Sequence, residues 1–361
     1  MMKSYGNGLL AATFAARAYA WGSLGHQTVA YLAQHYVSNH TAQWAQAILN
    51  DTSASYLANI ATWADSYRYT AEGEFSAGFH YIDALDNPPE SCNVDFERDC
   101  ASSGCIVSAI ANYTQRVQNP SRELDALQVN YALRWIVHFV GDISQPLHNE
   151  GLEQGGNGIK VTFANESTNI HSVWDTAIPE EFRDIPSNTT STLSEASAWA
   201  SDLVADIDDG CYTPLAASWL QGIDISQPLD TAMVWARDSN SYICSVVFPN
   251  GPETYNGTEL FPEYYSSAAS TVELQIAKAG YRLAAFLDGI AAGEKKVGTY
   301  WGGLGTSAND VVRRERERHV EVKKRDLSGR DLLPKRSGMT RMERERLAER
   351  NDLGCGCTHK H

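Results

Sequence analysis

Seven histidines lie between residues 21 and 312, and five of them stand near an aspartate or another histidine. His138 and Asp142 are four apart in an apolar stretch, so on a helix they share a face. "HSVWD" repeats that spacing with His171 and Asp175. "GDISQPLH" sets His148 six residues after Asp142, just past a proline that ends the helix. Upstream, "WADSYR" supplies Asp65 and Arg68, "FHYIDA" supplies His80 and Asp83, and His26 opens an apolar run. His35 and His40 fall outside this set and read as surface residues.

A single histidine on an apolar helix face is an ordinary core residue. Many imidazoles and carboxylates in one apolar body are different, because burying each without a partner costs on the order of several kcal/mol. Metal coordination removes that cost. Neutral imidazole with carboxylate and no thiolate suits zinc in a catalytic setting. His26, Asp65, His80, His138, Asp142, His148, His171 and Asp175 make eight side chains, too many for one tetrahedral ion. Two or three clustered ions sharing a carboxylate would use them all. Such clusters, with metals roughly 3.5–4 Å apart, favour in-line displacement at phosphorus.

Helices must position these groups. "HQTVAYLAQHYV" (26–37) places Val29, Ala33 and Tyr36 on one side at helical spacing. "LDALQVNYALRWIVHFVGDI" (124–143) predicts an almost continuously buried helix through Leu127, Tyr131, Trp135 and Val137. "TVELQIAKAGYRLAAFLDGIAAG" (271–293) carries Val272, Ile276, Leu283, Phe286 and Ile290 and ends on glycine. "IKVTFA" (159–164) predicts one short strand, and loops are marked by Asn87-Pro88-Pro89 and by Gly155-Gly156-Asn157-Gly158. The expected fold class is all-α, with one domain over 21–301.

The ends differ from the body. Residues 1–20 have the pattern of a secretory signal: Lys3, an apolar Leu9-to-Ala16 region, then Ala18-Tyr19-Ala20 as the small-residue cleavage site. No other stretch approaches a membrane span, so the mature protein is expected to be soluble and secreted. Asn-x-Ser/Thr acceptors at Asn39, Asn50, Asn112, Asn165, Asn188 and Asn256 agree with that route. The seven cysteines suit an oxidising compartment, although spacing leaves their pairing open. Residues 302–361 read as a charged extension, disordered or processed, with dibasic Lys323-Lys324-Arg325 and Lys335-Arg336.

The charge is divided. From Arg313 onward 15 Lys/Arg face 9 Asp/Glu, whereas residues 21–312 carry 12 basic and 35 acidic residues. Such an acidic body repels a polyanion unless cations sit inside it. A metal cluster would supply them.

Taken together, Trp21-Gly-x-x-Gly-His26, "WADSYR", "FHYIDA", "HFVGDISQPLH", "GGNGI" and "NIHSVWD" make the chain recognisable between roughly Trp21 and Trp301. It resembles the zinc-dependent, single-strand-specific nucleases with 3′-nucleotidase activity, secreted by fungi and also found in plants and protists. These share a fold with bacterial zinc phospholipases C. The resemblance implies a single mainly helical domain with three zinc ions in a cleft, long loops and at most a short hairpin. It implies one zinc on Asp65, His80, His138 and Asp142. A second would lie on His26, the shared Asp142 and the α-amino nitrogen and carbonyl oxygen of Trp21, which signal cleavage would make the first residue. A third would lie on His148, His171 and Asp175.

By the same resemblance, a zinc-bridged hydroxide attacks phosphorus and the 3′-oxygen leaves, giving 5′-phosphate products. Asp65 and Asp142 then serve catalysis as ligands, and Arg68 faces the transition state. Tyr81, a phenylalanine in most of the family, stacks on a base. Leu152 forms a second wall, Asp83 accepts from the base edge, and Asn157 of "GGNGI" lies with the substrate-binding group. The resemblance also implies Cys92–Cys244 and Cys100–Cys105 bridges and leaves Cys211 unassigned. The expected substrates are single-stranded DNA, RNA and 3′-nucleotides, handled by a monomer with no stable protein partner and no membrane. The alternatives are a phospholipase C using the same metals on a lipid phosphodiester, and a non-catalytic zinc-binding protein. The stacking aromatic weighs against the former, and Arg68 against the latter.

Overall fold

The computed structural model describes residues 21–119, 123–186 and 189–293. The expected signal, the charged extension, the domain end at Trp301 and the acceptor Asn188 lie outside the described residues. The other five acceptor asparagines are all exposed.

The helical spacing of the apolar residues becomes a bundle. Helix α1 (Ser23–Tyr36) buries Leu24, Val29, Leu32, Ala33 and Tyr36. Helix α2 (Asn39–Leu49) starts where Ser38 Oγ accepts from Thr41 N, and it stops at Asn50 in the left-handed region. After the short α3 (Trp63–Tyr67) come α4 (Ile106–Gln118) and α5 (Ala126–Asp142), which pack on each other. A hairpin of β1 (Lys160–Phe163) and β2 (Glu166–Asn169) follows, then α6 (Leu193–Asp208), α7 (Pro228–Tyr242) and the 30-residue α8 (Glu263–Ala292). Helix α1 lies between α8 and α6, and α7 covers α4.

Three expectations need correction. Leu127 is 57% exposed, because α5 begins at the Asp125 cap outside the bundle and is continuously buried only from Trp135. The last helix begins at Glu263, eight residues before the apolar pattern suggested. The expected lone strand is a hairpin, with Lys160 opposite Asn169 and Phe163 opposite Glu166. Its tip, Ala164 and Asn165, adopts positive φ, and β2 is too polar to announce itself as a strand.

The centre of α8 is buried all round, including its polar residues, which are therefore paired. Lys278 and Arg282 hold the two oxygens of Asp238 on α7 at 2.9 and 2.8 Å. Gln275 Nε2 donates to Ser144 O just beyond α5. Cys92–Cys244 ties the loop after Pro89 to the end of α7, and Cys100–Cys105 closes the turn before α4.

Helices α1 and α8 approach so closely that a Cβ at Gly280 would lie 2.7 Å from Leu32 Cβ. Gly280→Ala should lower unfolding stability by about 1–3 kcal/mol through overpacking, despite a helix-propensity gain of about 1 kcal/mol. The midpoint of denaturant unfolding measures this. An unchanged or higher midpoint would show that the two helices separate without cost.

Candidate metal centre

Side chains from separate segments meet beneath the end of α5. His138 and Asp142 share a face of its last turns, as their spacing requires. His26 comes from the first turn of α1 and Asp65 from α3. His80 ends a 3₁₀ turn (Glu74–His80), and His148 sits in another (Pro146–Asn149) that Pro146 opens. His171 and Asp175 follow β2 in a helical turn that widens into π geometry over Val173–Ala177. All eight groups are buried.

Their atoms converge. Asp142 Oδ1 lies 3.0 Å from His26 Nε2, while its Oδ2 lies 2.9 Å from His80 Nδ1 and 3.2 Å from His138 Nε2. Asp65 Oδ1 is 3.6 Å from His138 Nε2 and 4.0 Å from His80 Nδ1. On the far side, His171 Nε2 is 3.1 Å and His148 Nε2 3.9 Å from Asp175 oxygens. Three triads thereby have donor atoms close enough for one ion each: His26–His138–Asp142, Asp65–His80–His138 and His148–His171–Asp175. Asp142 faces two of the expected sites at once, one with each oxygen.

The surroundings orient the rings. His138 Nδ1 donates to Ala61 O at 2.7 Å, His148 Nδ1 to His80 O at 2.7 Å and His171 Nδ1 to Gly155 O at 2.6 Å. Each bond fixes a tautomer whose Nε2 lone pair points into the cluster. His26 Nε2, His80 Nε2, His148 Nε2, Asp65 Oδ1, Asp142 Oδ1 and Asp175 Oδ2 are buried without hydrogen-bond partners. Buried polar atoms are rarely left so, and a nitrogen-and-oxygen donor set without thiolate fits zinc.

Without a cation the protein groups divide in their electrostatics. Burial, followed by the His138 charge, drives His26 down to about 4, and burial drives His80 down to about 3. Both are neutral at pH 7, as ligands must be. Burial also acts to lower His138, but the carboxylates of Asp142 and Asp65 outweigh it and lift the ring to about 9. Burial raises Asp65 to about 7, with the charge of His138 opposing and that of Asp142 adding.

Two supporting residues carry no obvious chemical signal. A Cβ on Gly141 would come within 2.7 Å of His26 Nδ1, so this glycine lets His26 lie against α5. Its only trace in the sequence is a glycine interrupting an apolar helix. Gln145, a spacer in "GDISQPLH", donates to Asp175 Oδ1 at 2.7 Å and accepts from Leu147 N. Behind the ligands an aromatic layer of Tyr113, Trp135 and Phe139 packs edge-on against His80 through Trp135 and Phe139.

The residues expected around the substrate divide. Arg68 Nη2 lies 3.8 Å from Asp65 Oδ1, so its guanidinium sits at the edge of the cluster. Tyr81 continues directly from His80 in extended backbone and is 39% exposed, with Asp83 exposed two residues on. Alternation along extended chain puts both on one side, with Ile82 buried between them. Leu152 is half-buried and belongs to a loop that Gly151 N joins to Ala84 O at 3.0 Å. Asn157 closes its own loop, donating from Nδ2 to Gln154 O.

The S1/P1 Nuclease family model matches residues 21–292. Nuclease PA3 of a Penicillium species and Nuclease P1 of Penicillium citrinum are each 53% identical over 274 residues, covering 76% of this chain and 99% of the relative. Nuclease S1 of Aspergillus oryzae is 51% identical over 274 residues, covering 76% of this chain and 93% of its own. A family model over residues 21–292, relatives 51–53% identical over 76% of the chain and a buried histidine–aspartate cluster in a helical scaffold settle the assignment: the chain belongs to the S1/P1 nuclease family.

Proposed function

We propose that this nuclease is a secreted zinc enzyme that hydrolyses phosphodiester bonds of single-stranded DNA and RNA to 5′-phosphate products and removes 3′-phosphates from nucleotides. The observation that carries the reading is the convergence of three ligand triads on one buried cluster, with Asp142 facing two of them. Asp65, His80, His138 and Asp142 would hold one zinc, His26 with Asp142 and the Trp21 terminus a second, and His148, His171 and Asp175 a third. Trp21 is fully buried, and the neighbouring Gly22 N donates to Asp175 O, which supports an amino terminus held at this place. Bound zinc supplies Lewis-acid polarisation of the phosphoryl group and an acidified water.

The chain's own residues do the rest. Arg68 offers a planar fork of donors to phosphoryl oxygens beside the cluster. Tyr81 offers a ring to an unstacked base, Asp83 a carboxylate to its amino edge, and Leu152 an apolar second wall, with Asn157 in the adjoining loop. A base within a duplex is already stacked and paired, so a splayed single strand is preferred. Exposed acceptor asparagines support the secretory route. Among the described residues no helix is long and apolar enough to cross a membrane.

The direct test incubates the metal-replete protein with a single-stranded oligonucleotide, its duplex, a 3′-nucleotide and phosphatidylcholine. Single strands and the 3′-nucleotide should be hydrolysed, the duplex far more slowly and the lipid not at all, and chelation should stop every reaction. Hydrolysis of the lipid with intact single strands would identify a phospholipase instead.

Arg68→Ala should lower kcat by about 10²–10³-fold, the usual loss for one oxyanion donor, while zinc per molecule stays at the wild-type value. A kcat within a few-fold of wild type would remove Arg68 from the transition state.

Zinc uptake should be coupled to protons. With His138 lifted to about 9, the stripped protein carries a proton there at pH 7, and the metal must displace it. Calorimetry in buffers of different ionisation enthalpy should therefore show proton release at pH 7 that declines as pH rises through about 9. Binding without proton release at pH 7 would contradict this charge state.

A further inference from the structure

We infer that Tyr69 is a second stacking residue, taking the base on the 3′ side of the scissile phosphate while Tyr81 takes the base on its 5′ side. The inference rests on the proposed roles of Tyr81 and Arg68 and extends them to the other half of the phosphodiester.

A phosphodiester joins two nucleosides, and the substrate contacts proposed above serve only one of them. Tyr81 offers its ring to the base of the nucleoside whose 3′-oxygen leaves. The second nucleoside keeps the phosphate, and its base also exposes a π-face in a splayed strand. Stacking that face on a ring is favourable whatever the base. The residue that does so must be an exposed aromatic on a fixed backbone, beside the phosphate site and apart from Tyr81.

Tyr69 meets each condition. It lies four residues after Asp65 in "WADSYRYT", just past the end of α3. Arg68 N donates to Ala64 O at 3.1 Å, Tyr69 N to Ser66 O at 3.2 Å and Thr70 N to Tyr67 O at 2.9 Å, which fixes the backbone. The ring is nevertheless 57% exposed, against 39% for Tyr81. An exposed aromatic is ordinary by itself. Placement gives this one its meaning. The guanidinium carbon of Arg68 stands 5.2 Å from the centre of the Tyr69 ring, within cation–π range, and Arg68 Nη2 reaches to 3.8 Å from Asp65 Oδ1. Tyr81 follows His80, whose Nδ1 lies 4.0 Å from the same Asp65 oxygen. Two proposed ligands of one zinc therefore each carry an exposed ring on their own segment, Tyr69 beyond Asp65 and Arg68, Tyr81 beyond His80. A phosphate bound at Arg68 has an aromatic platform on both. A dinucleotide can use the two together, whereas a 3′-nucleotide, which lacks the second nucleoside, can use only Tyr81.

The test measures kcat/KM of the zinc-loaded protein for adenylyl-(3′→5′)-adenosine and for 3′-AMP, in wild type, Tyr69→Ala and Tyr69→Phe. The ratio of the first to the second should fall about tenfold in Tyr69→Ala, as the loss of one base stack requires, through a raised KM for the dinucleotide. In Tyr69→Phe, which keeps the ring, it should stay within about threefold of wild type. If the ring acts only by holding Arg68, both substrates suffer alike, because each presents a phosphoryl group, and the ratio stays constant. A constant ratio in Tyr69→Ala, or a phenylalanine variant no better than alanine, would overturn the second platform. If Tyr81→Ala leaves KM for 3′-AMP unchanged, the reading of Tyr81 fails by itself, and the Tyr69 ratio still decides the second platform.

Discussion

Everything in this structure answers to the burial of Asp142. Its carboxylate is fully enclosed and faces three imidazole nitrogens at about hydrogen-bond distance, one oxygen toward His26 and the other toward His80 and His138. An ionised carboxylate in such a place is tolerable only with compensating positive charge. His138, lifted by its neighbours, can supply one charge by holding a proton, but the remaining lone pairs in the cluster still converge on one another. Divalent cations resolve the conflict for all of the groups at once. The fold must therefore bring the start of α1, α3, two 3₁₀ turns and the end of α5 to one point, and the close approach of His26 at Gly141 is a consequence of that demand.

The same constraint reconciles the charge of the body with a polyanionic substrate. Residues 21–312 carry 35 acidic against 12 basic residues, so the far field is negative. At physiological ionic strength that field decays over about 8 Å. On the proposed reading, cations held at the cluster and Arg68 beside it would set the local charge, among buried groups where screening is weak. Attraction is then strong only for a phosphate that reaches the centre. A flexible strand would deliver one there more readily than a rigid duplex, whose whole backbone must approach the acidic body. The proposed stacking of a base on Tyr81 would act in the same direction.

What could be read in the sequence follows from which interactions depend on residue type. That His138 and Asp142 meet, and that imidazoles and carboxylates gather with them, was legible because such groups are costly to bury apart and because an interval of four residues on a helix fixes a shared face. The helical class was legible from the apolar periodicity of α1 and α8. Gly141 and Gln145 were not, since a glycine that makes room and a glutamine that braces a ligand act only through neighbours distant in sequence. Leu127 misled because apolar periodicity reports a helix face and not how far the helix extends beyond its partners. The polar strand β2 is defined by pairing with β1 and with little else.

The irregular elements deserve a physical reading of their own. A regular helix can aim two ligands at one point through residues four apart, but no more without crowding, and α5 uses that arrangement once. His26 and Asp65 come from α1 and α3, while His80, His148 and Asp175 come from segments whose backbone is wound tighter or wider than an α-helix. In the turn that carries Asp175, the wider π winding sits between His171 and the next regular helix, and Trp174 locks it by donating from Nε1 to Tyr264 Oη at 2.7 Å. Such widened turns rotate the following side chains relative to an ideal helix, and they recur at functional sites. Here the rotation lets Asp175 meet both His171 and His148 while Gln145 braces it from behind. Regular helices supply the rigid frame together with His26, Asp65, His138 and Asp142, and the departures from regularity aim His80, His148 and Asp175.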